Sequence, residues 1–187
     1  ALVGLLRFLP PAEAIPQLEA LAAASPDHAY VQYALADMHG DSAAAAAHLD
    51  AWRALDPSNA LPNYLHAGQQ LAGGNVEAAL ALLDEAAGQP LAYRFSVLDA
   101  QAHAAALEAS GVSAPTADVL AASVAGTGEY AALTGLGQRL LEHGAQHEAQ
   151  GDTGTAQALY GAALELGEQV DAGAAFAHER LAGLETQ

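Results

Sequence analysis

The sequence predicts an all-α fold: a stack of antiparallel helical hairpins along the chain. Three observations predict it. First, a ladder of small residues recurs: Ala67 is followed by Gly74, Asn75, Ala79, Leu83 and Ala86, and the same offsets from Gly144 reach Gly151, Asp152, Ala156, Tyr160 and Ala163. His66 and His143 stand one place before each start. Second, helix punctuation falls between the rungs, because a glycine followed by Asn or Asp stops one apolar-periodic run and opens the next. Third, 52% of the 187 residues are hydrophobic but only 5% aromatic, and much of the apolar share is alanine, which favours helix and lets helices approach closely. Matched intervals at this period signal stacked supersecondary units, none of which can bury its apolar face alone.

Residues 1–26 are the end of a first hairpin. Ala1 to Leu9 is the tail of a helix, Pro10-Pro11 replaces the glycine turn, and Ala14, Leu18, Leu21 and Pro26 repeat the spacing of Ala45, Leu49, Trp52 and Pro57. In residues 27–57, Asp27 caps a helix holding Tyr30, Tyr33, Ala34 and Asp37, and the ladder is one residue shorter around the turn Gly40-Asp41. Residues 58–90 form the clearest hairpin, with a first run ending at Gly73-Gly74, Asn75 as cap, a second run from Val76 to Ala87, then Gly88 and Pro90. Residues 91–128 are a divergent unit: a helix from Leu91 to Ser110, a turn from Gly111 to Pro115, and a short helix from Thr116 to Ala125 without the alanine ladder. Residues 129–170 hold an elongated helix, Glu129 to Gln150, in which glycines invite a break near Gly135, then Thr153 to Leu166 ending at Gly167. Residues 171–185 are expected as a separate C-terminal capping helix, with Phe176, Leu181 and Leu184 turned inward to cover the last hairpin. The chain opens at Ala1 without a methionine, as a processed chain or a piece of a longer one does.

Ala67, Gly74, Asn75, Ala79, Ala86 and Pro90, and again Gly144, Gly151, Asp152, Ala156, Tyr160 and Ala163, resemble the pattern of the tetratricopeptide repeat. Small side chains are needed where the helices cross, and the glycine ends the first helix in a left-handed conformation. The resemblance implies a single α-α superhelix over residues 1–187 and a non-enzymatic scaffold that holds a peptide or helix in the concave groove of its first helices. Projected from the two good units, that groove comprises Val31, Leu35, Leu61, Tyr64, Leu71, Gln101, Gln138 and Leu141. The family's basic clamp for a C-terminal carboxylate does not carry over, because Val31, Tyr64, Gln101 and Leu141 occupy its places. The chain departs from the pattern where the large aromatic near the start of helix one is shifted or absent, and where Pro90 falls one residue early.

Charge narrows the partners. Acidic residues number 22 against five arginines and no lysine, a formal net charge of −17. No basic stripe is present to neutralise phosphates, so DNA, RNA and anionic lipid are poor partners and no nucleic-acid partner is expected. The acidity suits solubility or an acid-biased host as well as a basic partner. No apolar run is long enough to span a bilayer. The expected partner is a protein or peptide segment, apolar or basic in character, with self-assembly into a homo-oligomer as the alternative. The compartment is left open, a cytoplasmic one being favoured over a periplasmic or secreted one.

Chemistry is sparse. Without cysteine there is no disulfide, thiol catalysis or cysteine metal site. His143 and His147 lie four apart on one helix face beside Glu142 and Glu148, which is half of a metal site. A third ligand such as His178 would have to come from the closing helix, and no glutamate follows His143 as a zinc-hydrolase motif demands. His143 also matches the helix-packing position of His66, so a structural role is the expectation. Neither Gly126-Thr127-Gly128 nor Gly151-Asp152-Thr153-Gly154 has the lysine of a phosphate loop. No catalytic residue, metal or cofactor is assigned; a metal-dependent enzyme built on the histidine pair is the remote alternative.

Overall fold

A computed structural model describes residues 2–40, 42–91, 94–124 and 127–185, with side chains for all of these except 94, 96, 124, 127, 128, 130 and 172–185. Among the described residues the chain is all-α. Its helices are α1 (Leu2–Leu6), α2 (Pro11–Ala24), α3 (Ala29–His39), α4 (Ala43–Leu55), α5 (Leu61–Ala72), α6 (Val76–Ala87), α7 (Arg94–Ala109), α8 (Ala114–Val124), α9 (Thr127–Ala149) and α10 (Thr153–Glu185). Successive helices α3 and α4, α5 and α6, and α7 and α8 pack as hairpins, and α9 meets α10 where Tyr160 lies against Gly144.

The turns explain why the hairpins form. Gly40, Gly74, Gly111 and Gly151 all have positive φ, between 59° and 96°, which L side chains resist. Three turns share one hydrogen-bond pattern. The amide of the residue after the glycine reaches back five residues, in Asn75 N–H to Gln70 O (2.8 Å), Val112 N–H to Leu107 O (3.0 Å) and Asp152 N–H to His147 O (2.9 Å). The glycine amide meanwhile bonds three residues back, to Leu71, Glu108 and Glu148. This satisfies carbonyls that a helix end leaves bare.

The divergent unit obeys the same rule with one residue added. Ala117 and Ala121, buried with Ala104 beneath Leu107 and Val112, lie six and ten residues after Gly111, where Ala79 and Leu83 lie five and nine after Gly74. The alanine ladder expected to be missing from 91–128 is therefore present, displaced by a single insertion after the glycine. Two further expectations need correction. No break occurs at Gly135, since α9 is continuous. The capping helix is not separate either: α10 runs unbroken through Gly167 to Glu185, because an interior glycine weakens a helix by only about 1 kcal/mol and does not stop one. The inward positions expected for Phe176, Leu181 and Leu184 lie outside the described side chains.

Contacts group the chain into two compact units. The first is Ala1–Pro57 with Tyr93–Tyr130, and the second is Ser58–Ala92 with Ala131–Gln187.

The first unit has a charged and aromatic centre. Gly4 brings α1 so close to α7 that a Cβ built on it would collide with the Cβ of Ala102. This approach places Arg7, just beyond α1, against Asp99 and 2.7 Å from Asp37, with its guanidinium 4.6 Å from the centre of the Tyr33 ring. Asp99 also accepts a hydrogen bond from the Tyr30 hydroxyl. Tyr30 and Tyr33 both stack on Phe95, at 5.1 and 5.2 Å, and the buried Trp52 meets Tyr33 edge-on. Glu129 is 5% exposed. It lies beside the Tyr33 hydroxyl, yet neither of its oxygens makes a well-formed hydrogen bond. Burial pushes its pKa above the ordinary carboxylate value, outweighing the opposing pull of Tyr33 and Arg7.

The second unit is built from small residues. Ala67, Ala79, Ala86 and Ala156 are buried in it, as are Leu71, Leu83, Leu140 and Leu159. A Cβ on Gly144 would stand 2.5 Å from the Tyr160 ring, so any other residue there must displace that ring. Ala60 N–H donates to Pro90 O (3.1 Å) and Asn63 Nδ2 to Gln89 Oε1 (3.2 Å), closing the base of the α5–α6 hairpin. Arg139 reaches the Gly68 carbonyl from α9 (3.3 Å).

Candidate functional site

Within the second unit, α6 and α10 leave a cleft of about 410 Å³ between them. Each wall is a single helical face. Leu80, Leu83, Asp84 and Ala87 on α6 and Ala158, Gly161, Ala162 and Glu165 on α10 both follow the spacing i, i+3, i+4, i+7, which lines residues along one stripe. The α10 stripe is small, and that is why the space exists: a Cβ built on Gly161 meets nothing within 4 Å. Tyr64 lines the cleft from α5. Burial first, then the nearby Glu165 charge, push its phenol up to about 12, so it is a neutral hydroxyl at physiological pH. The cleft thus offers aliphatic walls, a phenol and two carboxylates, and its volume falls in the range of small-molecule or side-chain pockets.

The groove residues expected from the sequence divide sharply. Val31, Leu35, Leu61, Tyr64 and Leu71 are 2% exposed or less and serve as core in this conformation rather than as an open lining. The reason is that α3 and α5 are enclosed on most sides: every residue from Tyr30 to Ala36 is buried, as are Leu61 to Tyr64 and His66 to Gly68. Gln101, Gln138 and Leu141 are exposed. Of the whole set, Tyr64 alone borders the cleft. The wall residues of α6 and α10 lie outside that set, although the matched stripes that carry Asp84 and Glu165 are visible as spacing in the sequence.

The histidine pair is not assembled into a metal centre. His147 Nδ1 lies 3.1 Å from Asp152 Oδ2, and Asp152 Oδ1 accepts from the Thr155 amide at the start of α10. Those contacts hold the Asp152 carboxyl below the usual carboxylate range, the Thr155 bonds first and His147 after them. Among the described residues no group of three or more His, Asp or Glu could hold a metal, and the His178 side chain lies outside them. No described helix is long and apolar enough to cross a membrane.

Fold and cleft together define an all-α protein of packed helical hairpins with an apolar, acid-rimmed cleft in its second unit. No family model matches the chain, and no curated protein matches it. Among solved structures, one titled "Crystal structure of MamA" is similar at 18% identity over 86% of this chain and 91% of that one, with a TM-score of 0.40. That likeness is too slight to carry identity or function across.

Proposed function

We propose that this chain is a protein-interaction module that takes a short apolar segment of a partner protein into the cleft between α6 and α10. The observation that supports this reading is an open space of about 410 Å³ walled by aliphatic side chains. Filling the cleft tests it. Gly161→Leu projects into empty space and removes a helix-interior glycine, so it should raise stability by about 1 kcal/mol while abolishing capture of a fluorescent leucine-rich peptide. Undiminished binding by a stable Gly161→Leu variant would place the docking site elsewhere, with the exposed Gln101, Gln138 and Leu141 the next candidates.

A second reading, association of copies of the chain, is favoured by one observation in the first unit. Leu2 and Leu5 on α1 and Val97 and Leu98 on α7, two helices in contact, stay 57, 40, 44 and 41% exposed. Sedimentation over a wide concentration range decides it: a persistent monomer excludes this reading, and a dimer dispersed by Leu2→Glu and Val97→Glu supports it.

A further inference from the structure

Resting on that reading of the cleft, we infer that its occupant presents a lysine or arginine, whose aliphatic stem lies on the apolar walls and whose charged head reaches Asp84 and Glu165. The two acids stand one on each wall, Asp84 on α6 and Glu165 on α10, so a cation entering the cleft meets a carboxylate from each side. Arg7, Arg53 and His147 are engaged with other acids, Arg7 with Asp37 and Asp99, Arg53 with Asp50, and His147 with Asp152. The chain is poor in cations of its own, with five arginines and no lysine. In the second unit Arg139 is held by the Gly68 carbonyl, and Arg180 lies 15 residues beyond Glu165, about 22 Å further along a helix. An acidic guest would be repelled by the rim and by the net charge of −17. A neutral apolar guest would leave both carboxylates facing a low-dielectric surface without a counter-charge. A basic side chain answers both demands, because its methylene stem is apolar and its head stays at the wet edge of the site.

The test uses the full chain and three end-capped leucine-rich peptides that differ at one central position: lysine, norleucine or glutamate. Binding is followed by fluorescence anisotropy and mapped by NMR shifts of Gly161 and Ala162. The lysine peptide should bind about fivefold tighter than the norleucine peptide, the scale of one partly exposed ion pair, and the glutamate peptide weakest. The advantage of lysine should shrink as salt rises. The double variant Asp84→Asn, Glu165→Gln should lose that advantage, binding the lysine peptide more weakly than the wild type does and the norleucine peptide at least as tightly. Equal binding of lysine and norleucine peptides overturns the inference and leaves the apolar docking site standing. No shift at Gly161 or Ala162 with any peptide overturns the docking site itself. Should the double variant fail to fold, Asp84→Asn alone, at an exposed position, gives the same reading with half the effect.

Discussion

The two units solve the same packing problem with different chemistry. The first gathers Arg7, Asp99 and Glu129 with four aromatic rings into its interior, with Asp37 at the exposed edge, whereas the second nests alanines and a glycine against leucines and Tyr160. Ions and rings need mutual orientation to be tolerated when buried; small residues need only distance. The difference teaches where each unit is brittle. Deleting a charge should break the first, and adding a methyl group should break the second.

The largest effect is expected at Arg7, whose side chain is 17% exposed beside an Asp99 side chain that is 11% exposed. Arg7→Met leaves Asp99 buried without its cation and should cost about 3–5 kcal/mol in urea unfolding. Adding Asp99→Leu should restore most of that loss, because a well-packed apolar pair can replace a buried ion pair. A loss below about 1 kcal/mol would mean that the cluster behaves as a solvated surface pair, and the contrast between the units would disappear. In the second unit Gly144→Ala drives a methyl into Tyr160 and should cost about 1–3 kcal/mol. Gly161→Ala, next to Tyr160 in sequence but with open space where its Cβ would stand, should instead stabilise. If both glycine variants behave alike, close approach does not govern that unit.

This contrast also sets what was legible in the sequence. The hairpins were, because a glycine turn and a small-residue ladder act over a few neighbouring positions: Val76–Ala87 was bounded correctly from Asn75 and Gly88 alone. The ladder of 91–128 was overlooked because one inserted residue after Gly111 moves every later rung by about 100° around the helix. The charged centre was not legible. Arg7 and Asp99 are 92 positions apart, and no local pattern links a residue after α1 to one in α7. Burial of Val31, Leu35, Leu61, Tyr64 and Leu71 was not legible for a related reason: burial of a helix depends on how many neighbours enclose it, and periodicity gives the face, not the number of neighbours. Matched stripes on α6 and α10 were visible as spacing, but their facing one another follows only from tertiary contact.

Protonation offers a finer probe of the first unit. Burial raises the Glu129 pKa in the folded state, so folding favours the protonated acid. The stability this group contributes is fully present below its unfolded pKa, about 4.3, and is lost as pH rises through the elevated folded value. At neutral pH the charged form is therefore a burden, and Glu129→Gln should raise the melting temperature at pH 7 by about 2–6 °C. The gain should dwindle as pH falls toward about 4. Parallel melting curves for wild type and variant at every pH would mean that Glu129 is solvated or fully paired, and that the interior charges of the first unit reduce to Arg7 and Asp99.

The smallest effect separates helix starts that look alike in sequence. Ser42 accepts from the Ala45 amide (3.3 Å) at the start of α4 in the first unit, and Ser42→Ala should cost about 1 kcal/mol. Asn75 occupies the corresponding place before α6 in the second unit, but its side chain makes no capping bond and donates to Gln70 Oε1 instead (3.1 Å). That bond is exposed and competes with water, so Asn75→Ala should cost only about 0.5 kcal/mol or less. The turn itself persists in the variant because it is held by backbone, through the positive φ of Gly74 and the Asn75 N–H bond to Gln70 O. Equal losses at Ser42 and Asn75 would show that Asn75 caps α6 in solution and that the backbone turn alone does not fix where the second helix of this hairpin begins.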